Sequence, residues 1–147
     1  STIVLLDNIT DQRNIGSIIR TSAAFGVDVI FLEKKLLNNK NPLLFKSASG
    51  TLELIDLLTF INLNNVIKKL KENNFWIVAL DAKSEQDIKN FTWPLKTAIV
   101  LGSEGAGLKR LVKENCDYKI KIAINPNVES LNVANTLSAV LGIKSLK

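Results

Sequence analysis

The sequence predicts one α/β domain, built on a mostly parallel six-stranded sheet with helices on both faces. Three observations predict it. Strand-like and helix-like segments alternate along the chain. Several of the strand-like segments, Thr2–Leu6 and Thr97–Leu101 among them, are unbroken apolar runs, as expected of strands covered on both faces. The chain has 147 residues, 46% hydrophobic and 22% charged, without an internal repeat, low-complexity tract or linker, which fits a single ordinary domain.

The elements follow in order. Ser1–Leu6 reads as a buried strand ending at Asp7-Asn8. A polar loop leads to a helix over Asn14–Phe25, with Ile15, Ile18, Ile19 and Ser22 on one face and Gly26 as its C-terminal cap. Val27–Leu32 is the second strand, Lys34–Pro42 a Lys/Asn-rich loop, and Leu43–Ser49 a short helix stopped at Gly50. Leu52–Leu58 is the third strand. Asn62–Glu72 is amphipathic, with Leu63, Val66, Ile67 and Leu70 apolar and lysines outside. Phe75–Leu80 and Thr97–Leu101 are the fourth and fifth strands, Leu108–Glu114 a short helix, Tyr118–Ile124 the sixth strand, and Ser130–Leu146 the closing helix.

Composition removes several classes of function. Cys116 is the only cysteine, so no disulfide framework forms. Histidine is absent, which eliminates Ser-His-Asp triads and Cys/His metal sites. No run of about 18 apolar residues and no signal-peptide pattern occurs, and a reduced, cytoplasmic setting is the expectation. Met is absent and the chain opens at Ser1 on an apolar run, so a fragment of a longer protein is expected. Nineteen basic residues (sixteen Lys, three Arg) against fourteen acidic ones give a net charge of +5, which suits a polyanionic partner.

In open α/β sheets, ligands bind beyond the carboxyl ends of the strands, and three such ends carry unusual loops. The first, Asp7 to Gly16, enters the helix that bears Arg20. Asn14 stands where an N-cap belongs, and Arg20, flanked by apolar residues, is either an ordinary surface arginine or a planar fork for phosphate. The second, Gly102-Ser103-Glu104-Gly105-Ala106-Gly107, has three glycines in six residues. Its G-x-x-G-x-G order differs from the dinucleotide fingerprint and lacks the P-loop Lys-Ser/Thr ending. Glu104 places a carboxylate within it. The third, Ile122 to Ala134, is a Pro/Asn loop in which Ser130 or Asn132 caps the last helix or faces a ligand.

Taken together, Asn14–Gly26, Ile99–Leu108 and Ile122–Ala134 resemble the three motifs of the SpoU (TrmH) family of SPOUT RNA 2′-O-ribose methyltransferases, and the resemblance covers essentially the whole chain. It implies a C-terminal trefoil knot whose pocket holds S-adenosylmethionine, with Leu80, Gly102, Ile122 and Leu131 at the cofactor. It assigns Arg20, Asn14, Glu104, Ser130 and Asn132 to the active site. It implies a homodimer packed through the knot, with the site completed across the interface, acting on RNA and using no metal or membrane. On this resemblance a side chain at position 102 is expected to fill the cofactor pocket.

Lys46–Glu53 and the Gly102-to-Leu131 spacing are most similar to bacterial enzymes acting on a guanosine of 23S ribosomal RNA. Those usually carry a preceding RNA-binding domain. Transfer-RNA enzymes of the same family and a non-catalytic RNA-binding module are the alternatives; a nicotinamide oxidoreductase disagrees with the glycine order. Lys34, Lys35, Lys40 and Lys46, or Lys109, Arg110 and Lys113, are candidates for RNA phosphates. Two departures from the family pattern are Gln12 and Ala123, where proline is common.

Overall fold

A computed structural model describes residues 1–38, 50 and 53–147. Within them six strands, β1 (Thr2–Asp7), β2 (Val29–Glu33), β3 (Asp56–Phe60), β4 (Trp76–Leu80), β5 (Thr97–Gly102) and β6 (Tyr118–Ile120), form one sheet in the order β3-β2-β1-β5-β4-β6. Every strand pair is parallel. The described helices are α1 (Gln12–Ala24), α2 (Lys34–Asn38), α3 (Leu63–Glu72), α4 (Arg110–Glu114) and α5 (Val133–Ser145), with one 3-10 turn at Ile88–Asn90.

The period-two alternation of the central strands sorts their side chains between two cores. Val4, Leu6, Val78, Ile99 and Leu101 join Ile15, Ile18 and Ile19 of α1 and Leu137, Val140 and Leu141 of α5 on one face. Ile3, Leu5, Ile77, Ala98 and Val100 join Leu63 and Ile67 of α3 and Val112 of α4 on the other. All of β1 after Thr2 is buried, which accounts for its unbroken apolar run. Thus the α/β class, the parallel sheet and the covering of both faces agree with the sequence.

Several boundaries differ, each for a physical reason. α1 begins at Gln12, because Asp11 is its N-cap and accepts from the N–H groups of Arg13 and Asn14. Asn14 is therefore inside the helix and not its cap. Gln12 occupies the first helical position, where proline is equally at home because that N–H bonds no helical carbonyl. Gly26, at φ +72°, ends the turn after α1 as expected, with Val27 N–H donating to the Ser22 carbonyl at 2.9 Å.

β3 is Asp56–Phe60 and not Leu52–Leu58: its register on β2 runs from Val29↔Asp56 to Glu33↔Phe60. Lys34 opens a short helix and not a loop. β6 stops at Ile120, its partner β4 having ended at Leu80, so Ile122–Ile124 is not strand. α5 starts at Val133 behind Asn132 as N-cap, which leaves Ser130 and Leu131 in the preceding loop. The predicted helix Leu43–Ser49, and Lys40, Lys46 and most of Lys46–Glu53 with it, lie outside the described residues.

Candidate active site

The strand order reverses between β1 and β5, whose carboxyl ends, Asp7 and Gly102, are register partners at the centre of the sheet. A reversal of this kind opens a crevice at the strand ends. The glycine loop leaves β5 there and closes on itself: Gly107 N–H donates to the Ser103 carbonyl at 2.8 Å, and Gly105 and Gly107 take φ of +78° and +68°. Both conformations favour glycine. Asp7, only 3% exposed, pins the loop's exit by accepting the Lys109 N–H on Oδ2 at 2.9 Å.

Gly102 is required for a reason the sequence did not indicate. A Cβ there would meet the main chain of Gly107 and Leu108 at 2.5 to 2.7 Å. A side chain at 102 would therefore break the loop itself before it filled any pocket.

Beyond β4, β5 and β6 lies a cavity of about 580 Å³, within the usual range for a small-molecule site. Leu80, Gly102, Ile122 and Leu131, gathered from four separate segments, all line it. Glu104 and Ser130 share its wall, as does Lys113, whose ammonium lies 3.0 Å from the Asp81 carboxylate. Among the described residues, the N–H groups of Ile122, Ala123 and Ile124 donate to no protein acceptor. Main-chain groups without a protein partner take water or a ligand. Apolar side chains beside unpaired peptide groups are what a nucleoside with a polar amino-acid tail needs, so the residues present fit S-adenosylmethionine.

A second depression of about 230 Å³, lined by Asn8, Thr10, Asp11 and Asn14, meets the first at Ser103, Glu104 and Val133. Here three loops are tied together. Asn132 donates from Nδ2 to Asn14 Oδ1 at 2.9 Å, while its Oδ1 caps α5 by accepting from Ala134 and Asn135. Glu104 Oε1 accepts the Val133 N–H at 3.1 Å, placing a carboxylate at the positive end of α5. Asn14 and Asn132 are thus bonded directly, and Glu104 is joined to them through Val133, the residue after Asn132; Ser130 is exposed at the margin.

Arg20 stands apart. It is exposed on α1, roughly 9 Å along the helix axis from Asn14, and lines neither depression. The candidate phosphate cations are partly committed as well: Lys35 pairs with Glu33 at 3.1 Å, Arg110 with Glu114 at 3.5 Å, and Lys113 with Asp81. Burial pushes the Cys116 thiol up to about 12, and its sulfur donates to the Val112 carbonyl, so it is a packed, unreactive group. The sequence reading missed Asp7 as a loop anchor and the Asp81–Lys113 pair, since neither belongs to a local pattern. No group of carboxylate and Cys side chains suited to a metal ion occurs among the described residues.

Comparisons with known proteins agree with this geometry. The SpoU rRNA Methylase family profile matches residues 1–142. A Staphylococcus aureus (strain MSSA476) protein assigned to the TrmH family of tRNA/rRNA methyltransferases is 36% identical over 96% of this chain and 57% of its own length. A Staphylococcus saprophyticus relative is 37% identical over the same shares. This chain therefore spans little more than half the length of the curated relatives it matches.

Among solved structures, the SpoU methyltransferase AviRb of Streptomyces viridochromogenes, in complex with the cofactor AdoMet, is 26% identical, with a TM-score of 0.88 over 98% of this chain and 57% of that one. The A. aeolicus TrmH/SpoU tRNA modifying enzyme, 24% identical, shares the fold with a TM-score of 0.85 over 97% of this chain and 72% of its own. With the family profile covering nearly its whole length, the chain belongs to the SpoU methylase family of RNA methyltransferases.

Proposed function

We propose that this domain transfers a methyl group from S-adenosylmethionine to the ribose 2′-hydroxyl of an RNA nucleotide, with a guanosine of 23S ribosomal RNA as the target. The observation that carries the reading is the convergence of Leu80, Gly102, Ile122 and Leu131 on one cavity that adjoins the Asn14–Asn132–Glu104 group. The spacing from Gly102 to Leu131 favours the ribosomal substrate; transfer RNA is the second reading, and the tRNA/rRNA assignment of the Staphylococcus aureus relative is compatible with both.

When bound, S-adenosylmethionine supplies an electrophilic methyl carbon on a positively charged sulfur. The chain's own residues must bind, orient and exclude water. Leu80, Ile122 and Leu131 offer apolar wall, and the N–H groups of Ile122–Ile124, which meet no acceptor among the described residues, offer donors. Glu104, whose Oε1 is held by Val133, has Oε2 to take the 2′-hydroxyl proton in a chain without histidine. A guanidinium is a donor only, so Arg20 acts as a clamp on the RNA phosphate and polarises the hydroxyl. In this reading two copies pack through the knot region, including α5, the C-terminal segment is knotted, and Arg20 completes the partner's site. Its position outside both depressions of its own copy supports that arrangement.

Calorimetric titration with S-adenosylmethionine, and separately with NAD, tests the cofactor. Binding of the methyl donor alone, about one per subunit, is expected. Tritiated-methyl transfer to unmodified 23S ribosomal RNA and to transfer RNA then separates the two substrates. Arg20→Ala should abolish transfer while leaving donor affinity nearly unchanged; equal loss of both would remove its catalytic role.

A further inference from the structure

The wall of the cavity carries charge that the methyl transfer described above leaves unused. Six ionisable side chains line it: Asp81, Lys83, Glu104, Lys113, Lys121 and Glu129. Glu104 is tied to α5 through the Val133 N–H. Lys83, Lys121 and Glu129 have no oppositely charged group within 4.0 Å among the described residues. Asp81 and Lys113 differ. Their charged atoms lie 3.0 Å apart, and theirs is the one ion pair among the described residues with both members on this wall.

Both members are held by their own segments. Asp81 directly follows β4, and its N–H donates to the Ile120 carbonyl at 2.9 Å, continuing the pairing of β4 with β6. Its Oδ1 accepts the Lys83 N–H at 3.0 Å and its carbonyl accepts the Ser84 N–H at 3.0 Å, so a tight turn fixes the carboxylate. Lys113 belongs to α4, and its N–H donates to the Lys109 carbonyl at 3.0 Å. Lys109 N–H in turn is bound by the buried Asp7 at 2.9 Å. Side chains already held lose less freedom when a ligand arrives than free ones do. That favours Lys113 over Lys83 and Lys121 as a binding group.

Neither member is saturated. An ammonium donates more than one hydrogen bond, and each carboxylate oxygen accepts more than one. Among the described residues the Lys113 ammonium has Asp81 as its sole partner, and 34% of its side chain stays exposed against 13% for Asp81. A lone anion such as a phosphate would be drawn to Lys113 and repelled by Asp81 beside it. A group carrying both signs on neighbouring atoms is attracted by both. An α-ammonium and an α-carboxylate on one carbon are such a group, and S-adenosylmethionine ends in one.

We propose that Asp81 and Lys113 recognise the zwitterionic amino-acid end of the methyl donor, Lys113 taking its carboxylate and Asp81 its ammonium. The proposal rests on S-adenosylmethionine occupying this cavity, as read above. It gives the cavity selectivity against nucleosides that lack the tail, and it moves Lys113 from the candidate RNA contacts to the donor site.

The test is calorimetric titration with S-adenosylhomocysteine and with methylthioadenosine. Both are uncharged overall and share the adenosine and the thioether; the first alone has the amino-acid end. Wild type should bind S-adenosylhomocysteine about tenfold or more tighter, the effect of hydrogen bonds between charged groups. Lys113→Met and Asp81→Asn should each shrink that ratio, and the double variant should bring it to about one. Asp81→Asn keeps an oxygen for the Lys83 N–H, and Lys113→Arg should restore the preference. Methylthioadenosine affinity should hold in all four variants, which a merely structural pair does not predict.

Equal affinity of wild type for the two ligands overturns the proposal and leaves the donor reading standing. Equal loss of both ligands in the variants overturns it as well, since the pair would then only brace the wall. An unchanged ratio with weakened RNA binding in Lys113→Met returns that lysine to the phosphate contacts and overturns it too. Binding of neither ligand by wild type rejects the donor reading, and the tail contacts with it.

Discussion

The two ends of the sheet are built differently. At the amino ends, the entering segments are fastened to one another. Thr97 N–H donates to the Ser1 carbonyl, Thr97 Oγ1 to the Pro94 carbonyl, Thr2 N–H to Asp28, and Ile77 N–H to Asp117. At the carboxyl ends of β4, β5 and β6, the chain departs through long loops, and the N–H groups of Ile122–Ile124 meet no acceptor among the described residues beside a cavity. One end satisfies its polar groups internally; the other holds them in reserve, clasped at a few points by Asp7, Glu104 and Asn132. The contrast teaches that binding capacity is created where the backbone is left incomplete, and that the completed end keeps the strands in register while it is.

Substitutions at the open end should cost both stability and function. The largest effect is expected for Gly102→Val, because the new side chain strikes main chain and not the end of a flexible side chain. Loss of about 2 kcal/mol or more in urea unfolding, together with loss of donor binding by calorimetry, is the predicted outcome. Full stability with lost binding would mean that the side chain had entered the cavity after all.

Next is Glu104. Glu104→Gln keeps an oxygen for the Val133 N–H but no longer takes a proton, so transfer should fall by about a hundredfold with the melting temperature held. Full activity in the glutamine variant would reduce Glu104 to a cap for α5.

The clasp residues rank below. Asn132→Ala removes the N-cap of α5 as well as the bond to Asn14 and should cost about 1 kcal/mol in urea unfolding. Asn14→Ala loses only the second bond and should cost less; equal costs would show that the cap contributes little.

The closed end gives the converse. Asp117→Ala removes the acceptor of the Ile77 N–H and should lower stability by about 1 kcal/mol with donor affinity unchanged. A parallel loss of affinity would erase the distinction between the ends.

The last prediction concerns Cys116, whose effect is confined to alkaline solution and is absent at neutral pH. Its thiol should resist iodoacetamide at pH 8 until the chain unfolds. Because burial raises its pKa from 9.0 to about 12, its contribution is fully present below pH 9 and is lost as pH rises towards 12. Subtracting the stability profile of Cys116→Ala from that of wild type isolates this slope from the titrating lysines.

Much of this was legible in the sequence. Unbroken apolar strands indicated the parallel sheet, and the three polar loops at strand ends pointed to the segments that line the two adjoining depressions, because both are local patterns. What escaped was non-local. That Asp11 caps α1 and frees Asn14 to meet Asn132, or that Asp7 reaches Lys109, depends on loops distant in sequence meeting in space. The early end of β6 at Ile120 depends on where β4 stops, which no property of Tyr118–Ile124 encodes. Gly102 was singled out within its loop, but the crowding of a Cβ there, which comes from Gly107 and Leu108 folding back, has no local signature.

The pairing of β1 with β5, from Thr2↔Thr97 to Asp7↔Gly102, also governs how the chain reaches this structure. During synthesis β1, β2 and β3 emerge long before β5, so the innermost strand must wait with one edge bare. Such an edge is a template for pairing with the wrong chain, and sheets that close through distant contacts assemble slowly. Thr97–Gly102 is therefore the segment whose arrival commits the nascent protein, and truncation just before it should yield an aggregation-prone product.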